Sequence, residues 1–266
     1  MPQIQVTLTP AESKRLIGKG VAALPEVKRA LREGTIIIAV GTTNACVAEE
    51  LLGRKIDHER FAAGVILQKG TCCVPMEKRF HEIVIRRGEV VDVRMEDVLK
   101  DLTQEDVFVK GANAIDASGL AGIFMSSPTG GTIGKALGTV MSRGVNLIIP
   151  VGMEKFIPGS VREASKLAGK FRSDYATGCP VGVMPVVGKV VTELEAIQIL
   201  TGAEALVIGR GGVSGGEGST TLLVRGSAAQ LSAARKLVEN IKGEPETRIY
   251  TDCRTCEETH CGYLKR

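Results

Sequence analysis

Tryptophan is absent from this 266-residue chain, and the other aromatic residues are scarce, with three tyrosines and six phenylalanines. The core must therefore be built from Val, Ile, Leu and Ala, a composition that suits a parallel sheet buried on both faces. So few rings leave little on which bases could stack. The formal charge is only +4, with 34 basic residues scattered among 30 acidic ones, and no basic stripe results. Both shortages argue against a nucleic-acid partner. No apolar run reaches the roughly 18 residues that cross a bilayer, so no membrane partner is expected. Residues 1–12 lack a basic leader followed by an apolar stretch, and no signal peptide is expected. Seven cysteines are present, an odd number, and three crowd into the last fourteen residues. In a chain long enough to bury a sizeable core, that pattern favours reduced thiols or metal ligands over a secreted disulfide framework. A cytoplasmic location is expected.

What is present falls into a repeating rhythm. Thr9-Pro10-Ala11-Glu12 reads as a capping box with proline at the first helical position. The helix is expected to run to about Arg32, broken at Pro25 and stopped by Gly34. Residues 35–40 (TIIIAV) form a continuous β-branched run, the mark of a buried parallel strand, which ends at Gly41-Thr42-Thr43-Asn44 before a helix over about 45–52. Residues 62–67 make another strand, and 81–85 with 90–93 make a hairpin through Arg87-Gly88. Residues 106–110 form a short buried strand ending at Gly111-Ala112-Asn113. Ser127 to Thr132 then leads into a helix over about 133–142. Residues 145–151 are a further strand, followed by Gly152-Met153-Glu154-Lys155. Strand, glycine-rich turn and helix in repetition argue for an α/β fold, with an open, mostly parallel sheet and helices on both faces. After about Pro185 the pattern becomes strand 186–191, helix 193–200, strand 205–208, a glycine-rich loop, strand 220–224 and helix 227–241. That reads as a smaller C-terminal α+β domain. The expected division is a ligand-binding α/β domain over 1–185, the small domain over 186–245 and a Cys-rich tail over 246–266.

In open α/β sheets ligands bind where strands end and the chain turns into a helix. Glycine lets backbone N–H groups approach an anion, and a helix N-terminus adds roughly half a positive charge. Three turns here carry such residues. The pocket they imply is lined by Gly41, Thr42, Thr43, Asn44, Gly111, Asn113, Gly130, Gly131, Thr132 and Lys155. Lys110 or Lys155 would neutralise the anion, and Glu154 or Asp116 would be the catalytic base. The plainer alternative is that the glycines make tight turns, the threonines cap helices and Asp116 caps a turn.

The order of these residues resembles the superfamily of ribose-5-phosphate isomerase, glucosamine-6-phosphate deaminase, the CoA transferases and the sugar-sensing domains of DeoR-type regulators. Residues 35–45 (TIIIAVGTTNA) are similar to its first strand and phosphate-holding glycine–threonine loop. Residues 110–116 (KGANAID) resemble the isomerases' DGADEVD segment. Residues 129–137 (TGGTIGKAL) stand where the isomerases have a Lys-Gly-Gly-Gly loop, and residues 145–156 (VNLIIPVGMEKF) resemble the strand ending in Asp-Glu-Ser-Lys. The resemblance covers about residues 10–160. It implies a Rossmann-like, CoA transferase/isomerase-like fold and an anionic substrate such as a sugar phosphate, nucleotide or CoA ester. The departures bear on activity. The isomerases' two acid–base aspartates are replaced by Lys110 and Asn113, and asparagine cannot shuttle a proton. Standard ribose-5-phosphate isomerase chemistry is therefore not expected. Residues 203–244 resemble, more faintly, the α/β unit of bacterial microcompartment shell proteins, which implies contacts between copies and a homo-oligomer.

Cys253, Cys256 and Cys261, with His260 adjacent, have the close spacing of metal ligands, suited to zinc or an iron–sulfur cluster. A fourth ligand could be His260, Cys179 or one of Cys72 and Cys73; the alternative is a tail of free thiols. Adjacent Cys72 and Cys73 are expected on opposite sides of an extended chain. Cys46, just inside a helix, faces core or pocket. The glycine-rich segment 209–218 reads equally as an anion-binding nest, a flap or a flexible hairpin loop. Three functions are compatible with these features: an enzyme acting on an anionic metabolite, a non-catalytic sensor of one, and a metal-binding protein.

Overall fold

A computed structural model of the chain describes residues 2–256, 258 and 260–262. Its central sheet has six strands in the order Lys189–Val191, Asn146–Pro150, Val107–Val109, Thr35–Ile38, Ile83–Arg86 and Glu89–Val91. The first four are mutually parallel. The last two join antiparallel, as the expected hairpin. Its turn holds Arg87 at φ 49° and Gly88 at φ 86°, the two positive values that a tight type I′ connection demands.

Side-chain alternation divides the strands between two cores. Ile36, Ile38, Val107, Val109 and Ile148 point to one face, which is closed by helices Pro10–Ala23, Thr42–Leu52, Glu193–Thr201 and Ala228–Ile241. Ile37, Phe108, Leu147 and Ile149 point to the other, against helices Met95–Leu99 and Gly131–Ser142. The protein is thus α/β, with a mixed sheet covered on both faces. The four parallel strands follow chain order across the sheet, without the reversal of a doubly wound arrangement. The Thr9–Glu12 capping box forms, and Pro25 opens a separate helix, Pro25–Glu33, because a proline inside a helix has no N–H to donate and clashes with the preceding turn.

Three smaller sheets surround this body. Gln3–Leu8 pairs antiparallel with Ser219–Arg225, which pairs with Glu204–Gly211. Ala114–Ile115, Ala121–Met125 and Gly182–Val186 make a second sheet, and Gly64–Leu67 with Gly70–Cys73 a two-stranded one. The single strand expected over 186–191 is two. Gly182–Val186 joins the second sheet and Lys189–Val191 the central one. Between them Gly188 runs against the neighbouring strand, where a Cβ would stand 2.7 Å from the Leu147 carbonyl oxygen. Strand pairing therefore crosses the sequence boundary at 185 from both sides, since Gln3–Leu8 belongs with the C-terminal strands. Among the described residues no helix is long and apolar enough to cross a membrane.

Candidate functional site

The four parallel strands deliver four turns to one edge of the sheet. After Thr35–Ile38 the chain enters helix Thr42–Leu52 through Gly41, a position that offers no side-chain cap. The first-turn N–H groups are thus left without the usual capping oxygen. Asn44 is fully buried; its Nδ2 donates to the Ala39 carbonyl at 2.7 Å. Its Oδ1 faces the next turn, within 3.4 Å of where a Cβ on Gly111 would stand. From that turn Lys110 donates to the Gly111 carbonyl at 3.0 Å. Burial, followed by the neighbouring Lys155, brings the Lys110 ammonium down to about 8.

The third turn supplies Glu154 and Lys155 in the short 3-10 segment Met153–Lys155. The Glu154 carboxylate folds back over Gly152, where a Cβ would lie only 1.8 Å from Oε2. The fourth turn supplies Glu193, the first residue of its helix and wholly buried. Its Oε2 accepts from the Met153 N–H at 2.9 Å, tying the third and fourth turns together. Burial, then the charge of Glu154, raises the Glu193 carboxyl to about 7. Lys14 reaches in from helix Pro10–Ala23. Its ammonium is lowered by burial and then by Lys155, with Glu154 acting in the opposite sense.

Three lysines, Lys14, Lys110 and Lys155, thus share a site with Glu154 and a Glu193 that is half-protonated near neutrality. Four buried side-chain atoms here have no hydrogen-bond partner among the described residues: Thr43 Oγ1, Asn44 Oδ1, Glu154 Oε2 and Glu193 Oε1. Buried polar groups are ordinarily satisfied, and a cluster of exceptions marks a place where water or a ligand completes the network. The glycine-rich loop borders the site. Gly218, at φ 79°, brings its backbone to where a Cβ would be 3.9 Å from the Glu154 Cβ, and Arg210 donates to the carbonyls of Met153 and Phe156.

The expected pocket residues divide. Gly41, Thr42, Thr43, Asn44, Lys110, Gly111, Glu154 and Lys155 lie on these turns. Gly130, Gly131 and Thr132 open helix Gly131–Ser142 and are linked to the site through Glu82, which accepts from Thr132 Oγ1 at 2.6 Å and faces Lys110. Asn113 is turned into the small sheet, its Oδ1 accepting from Phe124 N–H at 2.9 Å. Asp116 accepts from the Ser118 N–H and hydroxyl, the Leu120 N–H and the Val161 N–H. Its carboxylate is committed to a turn and a helix start, and the Ser118 hydroxyl leads the bonds that lower its pKa. That makes it an anchor and not a base. Cys46 is buried, and burial pushes its thiol up to about 12, which suits core packing and not nucleophilic attack. Cys253, Cys256, Cys261 and His260 do not close on one point: among the described residues no three Cys, His, Asp or Glu side chains are grouped to hold an ion.

Lys14 and Glu193 went unseen in the sequence. Glu193 opens a helix after strand Lys189–Val191, as Thr42 opens one after Thr35–Ile38, and that strand-to-helix rhythm was its one available signal. A cavity of about 570 Å³ opens elsewhere, beside the strand starts at Thr35 and Asp106. There Asp106 is already satisfied by the N–H groups of Thr35 and Thr103 at 2.6 Å each, so the cavity offers a ligand less than the strand ends do.

Glu193 makes a titration prediction. A carboxyl raised from 4.5 to about 7 keeps its proton in the folded chain while the unfolded chain loses it. Stability from this group is therefore complete below pH 4.5, falls between 4.5 and 7, and is level above. At about 1.4 kcal/mol per unit, Glu193→Gln should gain up to about 3 kcal/mol over the native chain at pH 8 and almost nothing at pH 4. Urea unfolding of both proteins across that range checks it, and a gain independent of pH would count against the raised pKa.

Compared with protein-family models, curated proteins and solved structures, the chain finds no match.

Proposed function

We propose that the turns at the carboxyl ends of the four parallel strands bind a phosphorylated or otherwise anionic small metabolite, of the sugar-phosphate, nucleotide or CoA-ester class. Glu193, with Glu154 beside it, then moves a proton on the bound molecule. The observation that carries this reading is the convergence of three lysines on turns where buried polar atoms lack partners among the described residues: burial first, and then Lys155, lowers the ammonium of both Lys14 and Lys110. Cations held close together in a low dielectric are relieved by an anion. The uncapped start of helix Thr42–Leu52 adds N–H donors of the same polarity. The resemblance to the sugar-phosphate isomerases and CoA transferases favours the same ligand classes.

The assignment of chemistry follows from the carboxyls. A proton carrier works best when its pKa lies near the working pH, and Glu193 at about 7 meets that condition. Glu154 beside it supplies a second carboxyl, so that one of the two can give the proton and the other take it. Lys110, at about 8, remains mostly charged at neutrality and can bind phosphate or polarise a carbonyl. The reaction class is proton abstraction next to a carbonyl, as in isomerisation, or acyl transfer.

Calorimetry with ribose 5-phosphate, a nucleoside monophosphate and coenzyme A tests the binding. At least one should bind. Lys110→Ala and Lys155→Ala should each weaken it about 10- to 100-fold, the effect of losing one charged hydrogen bond of 1.5–3 kcal/mol. If none of the three binds, the anion site is disproved. Exchange of carbon-bound hydrogen in D2O, followed by NMR on the bound metabolite, tests the proton transfer. Glu193→Gln should retain binding and abolish exchange; binding without exchange in the native chain leaves a sensor in place of an enzyme.

A further inference from the structure

Strand Gly70–Cys73 lies directly against residues 177–179. Thr71 and Gly178 form a parallel bridge. Cys179 N–H donates to the Thr71 carbonyl at 2.6 Å, and the Thr71 hydroxyl donates to the Cys179 carbonyl at 2.6 Å. Glycine makes the approach possible from both sides. Gly70 has φ 119° and Gly178 φ 87°, and a Cβ on either would stand 2.0 Å from the opposing carbonyl oxygen.

Alternation along the strand then sends its two cysteines apart. Cys72 turns toward Thr251, Cys253 and Cys261. Cys73 turns the other way, toward Cys179, which the Thr71–Gly178 bridge sets beside it. Cys73 is exposed and Cys179 buried. The Cys179 sulfur also touches the Ser126 hydroxyl at 2.6 Å and faces Glu258 Oε2 at 3.1 Å. Lys170 holds Glu258 in turn, at 2.9 Å. Cys179 thus lies inward against the Glu258 carboxylate, and Cys73 is the sulfur open to solvent.

We propose that Cys73 and Cys179 form a redox-active dithiol, with Cys73 attacking and Cys179 resolving, that closes by exchange with a small-molecule disulfide of the glutathione class. The Cys73 thiolate attacks one sulfur of the disulfide RSSR, forming Cys73–S–S–R and expelling RS⁻. Cys179 gives its proton to that RS⁻, and its sulfur attacks the Cys73 sulfur. The second RS⁻ leaves and takes from solution the proton that Cys73 had released. Two protein thiols are oxidised to one disulfide, and one RSSR is reduced to two RSH. An exposed attacking sulfur backed by a buried partner is the division of labour that such exchange needs.

The test uses the whole chain in a Cys72→Ser background, so that the peptide from the strand carries a single thiol. The protein is equilibrated in mixtures of reduced and oxidised glutathione, alkylated, digested and read by mass spectrometry. A reversible Cys73–Cys179 crosslink is expected. In Cys179→Ser a Cys73–glutathione adduct should accumulate, and in Cys73→Ser the crosslink is lost and Cys179 stays unmodified. Cys46→Ser should change none of this. Circular dichroism establishes that the variants are folded; if either serine variant is not, the reversible crosslink in the background protein decides alone. Recovery of Cys73 and Cys179 as free thiols throughout, or crosslinking of Cys73 to Cys253 or Cys261, overturns the proposal. So does stoichiometric zinc or iron in the purified protein that falls on replacing Cys73 or Cys179.

Discussion

Replacing Arg15 by methionine is expected to lower the unfolding free energy by about 3–5 kcal/mol at pH 7, the range for removing one partner from a buried ion network. Arg15 is almost wholly buried on helix Pro10–Ala23. It donates to Glu49, to Glu50 at 3.1 Å and to Glu244 at 2.7 Å, joining its helix to helix Thr42–Leu52 and to the chain beyond the last helix. Without it, Glu49 keeps, among the described residues, the Ile56 N–H at 2.9 Å, His58 at 3.3 Å and the exposed Lys55. Burial of the carboxylate then goes uncompensated. In the native chain burial works to raise the Glu49 pKa, but the hydrogen bonds from Ile56 and Arg15 bring it below the ordinary value. A depressed carboxylate gives stability above its unfolded pKa and loses it as pH falls through the folded one. Removing Arg15 reverses that balance, because the buried carboxyl can then accept a proton. The deficit should therefore be largest at neutrality and shrink toward pH 4. Urea unfolding at pH 7 and pH 4.5 reads both features. As a control, Arg235 pairs with Glu239 on an exposed helix face at 2.8 Å, and Arg235→Met should leave the midpoint unchanged. A loss under about 1 kcal/mol for Arg15→Met at pH 7 would show that the network contributes little.

Much of the fold was legible because the buried strands advertise themselves. Residues 35–40, 107–109 and 145–151 are short, largely apolar runs bounded by glycine or charged residues, and each holds a central strand. One capping signal was equally direct, Thr9 with Glu12, which forms a complete box; Ser227, read as the first residue of its helix, caps it instead with Gln230. Pairing across the sequence was not legible. Gln3–Leu8 alternates polar and apolar residues as a half-buried strand should, yet its partner, Ser219–Arg225, lies more than 200 residues away, and no local pattern names it. Gly182–Val186 was hidden by Pro185, which cannot donate in a ladder and belongs on an edge strand, where this one lies. The same limit applies to the site. Glycine and threonine at the strand ends were readable as turn chemistry. Lys14 enters from a helix at the other end of the sequence segment, and Glu193 sits beyond a boundary drawn on composition, so only tertiary packing brings them in. Asp116 misled because a carboxylate after a buried strand reads equally as a base or as a turn anchor; the small strand Ala114–Ile115 intervenes and makes it the latter.

Gly18→Val and Gly20→Val are each expected to destabilise the protein by about 1–3 kcal/mol, and the sign is the informative part. In an open helix, replacing glycine improves helix propensity, by up to about 1 kcal/mol for alanine and less for valine. Here packing opposes that gain. Helix Pro10–Ala23 is wedged between two others, and the two glycines, about 200° apart on the helical wheel, meet one neighbour each. A Cβ on Gly18 would lie 2.9 Å from the carbonyl carbon and Cβ of Cys46; one on Gly20 would lie 2.7 Å from the Ala196 Cβ and 2.9 Å from its Cα. These obstacles are backbone atoms and first side-chain carbons, which cannot rotate aside, so the helices must separate. Lys14 rides on the first helix, Thr43 and Asn44 on the second and Glu193 on the third. Any separation therefore shifts Lys14, Thr43, Asn44 and Glu193 relative to one another and opens the polar cluster. Gly138 provides the contrast. It is exposed on helix Gly131–Ser142 with nothing within 4 Å of a Cβ, and Gly138→Ala should stabilise by up to about 1 kcal/mol. Thermal and urea unfolding of the three variants decides between the two effects. If Gly18→Val and Gly20→Val stabilise as Gly138→Ala does, the helices are not in the contact that assembles the site.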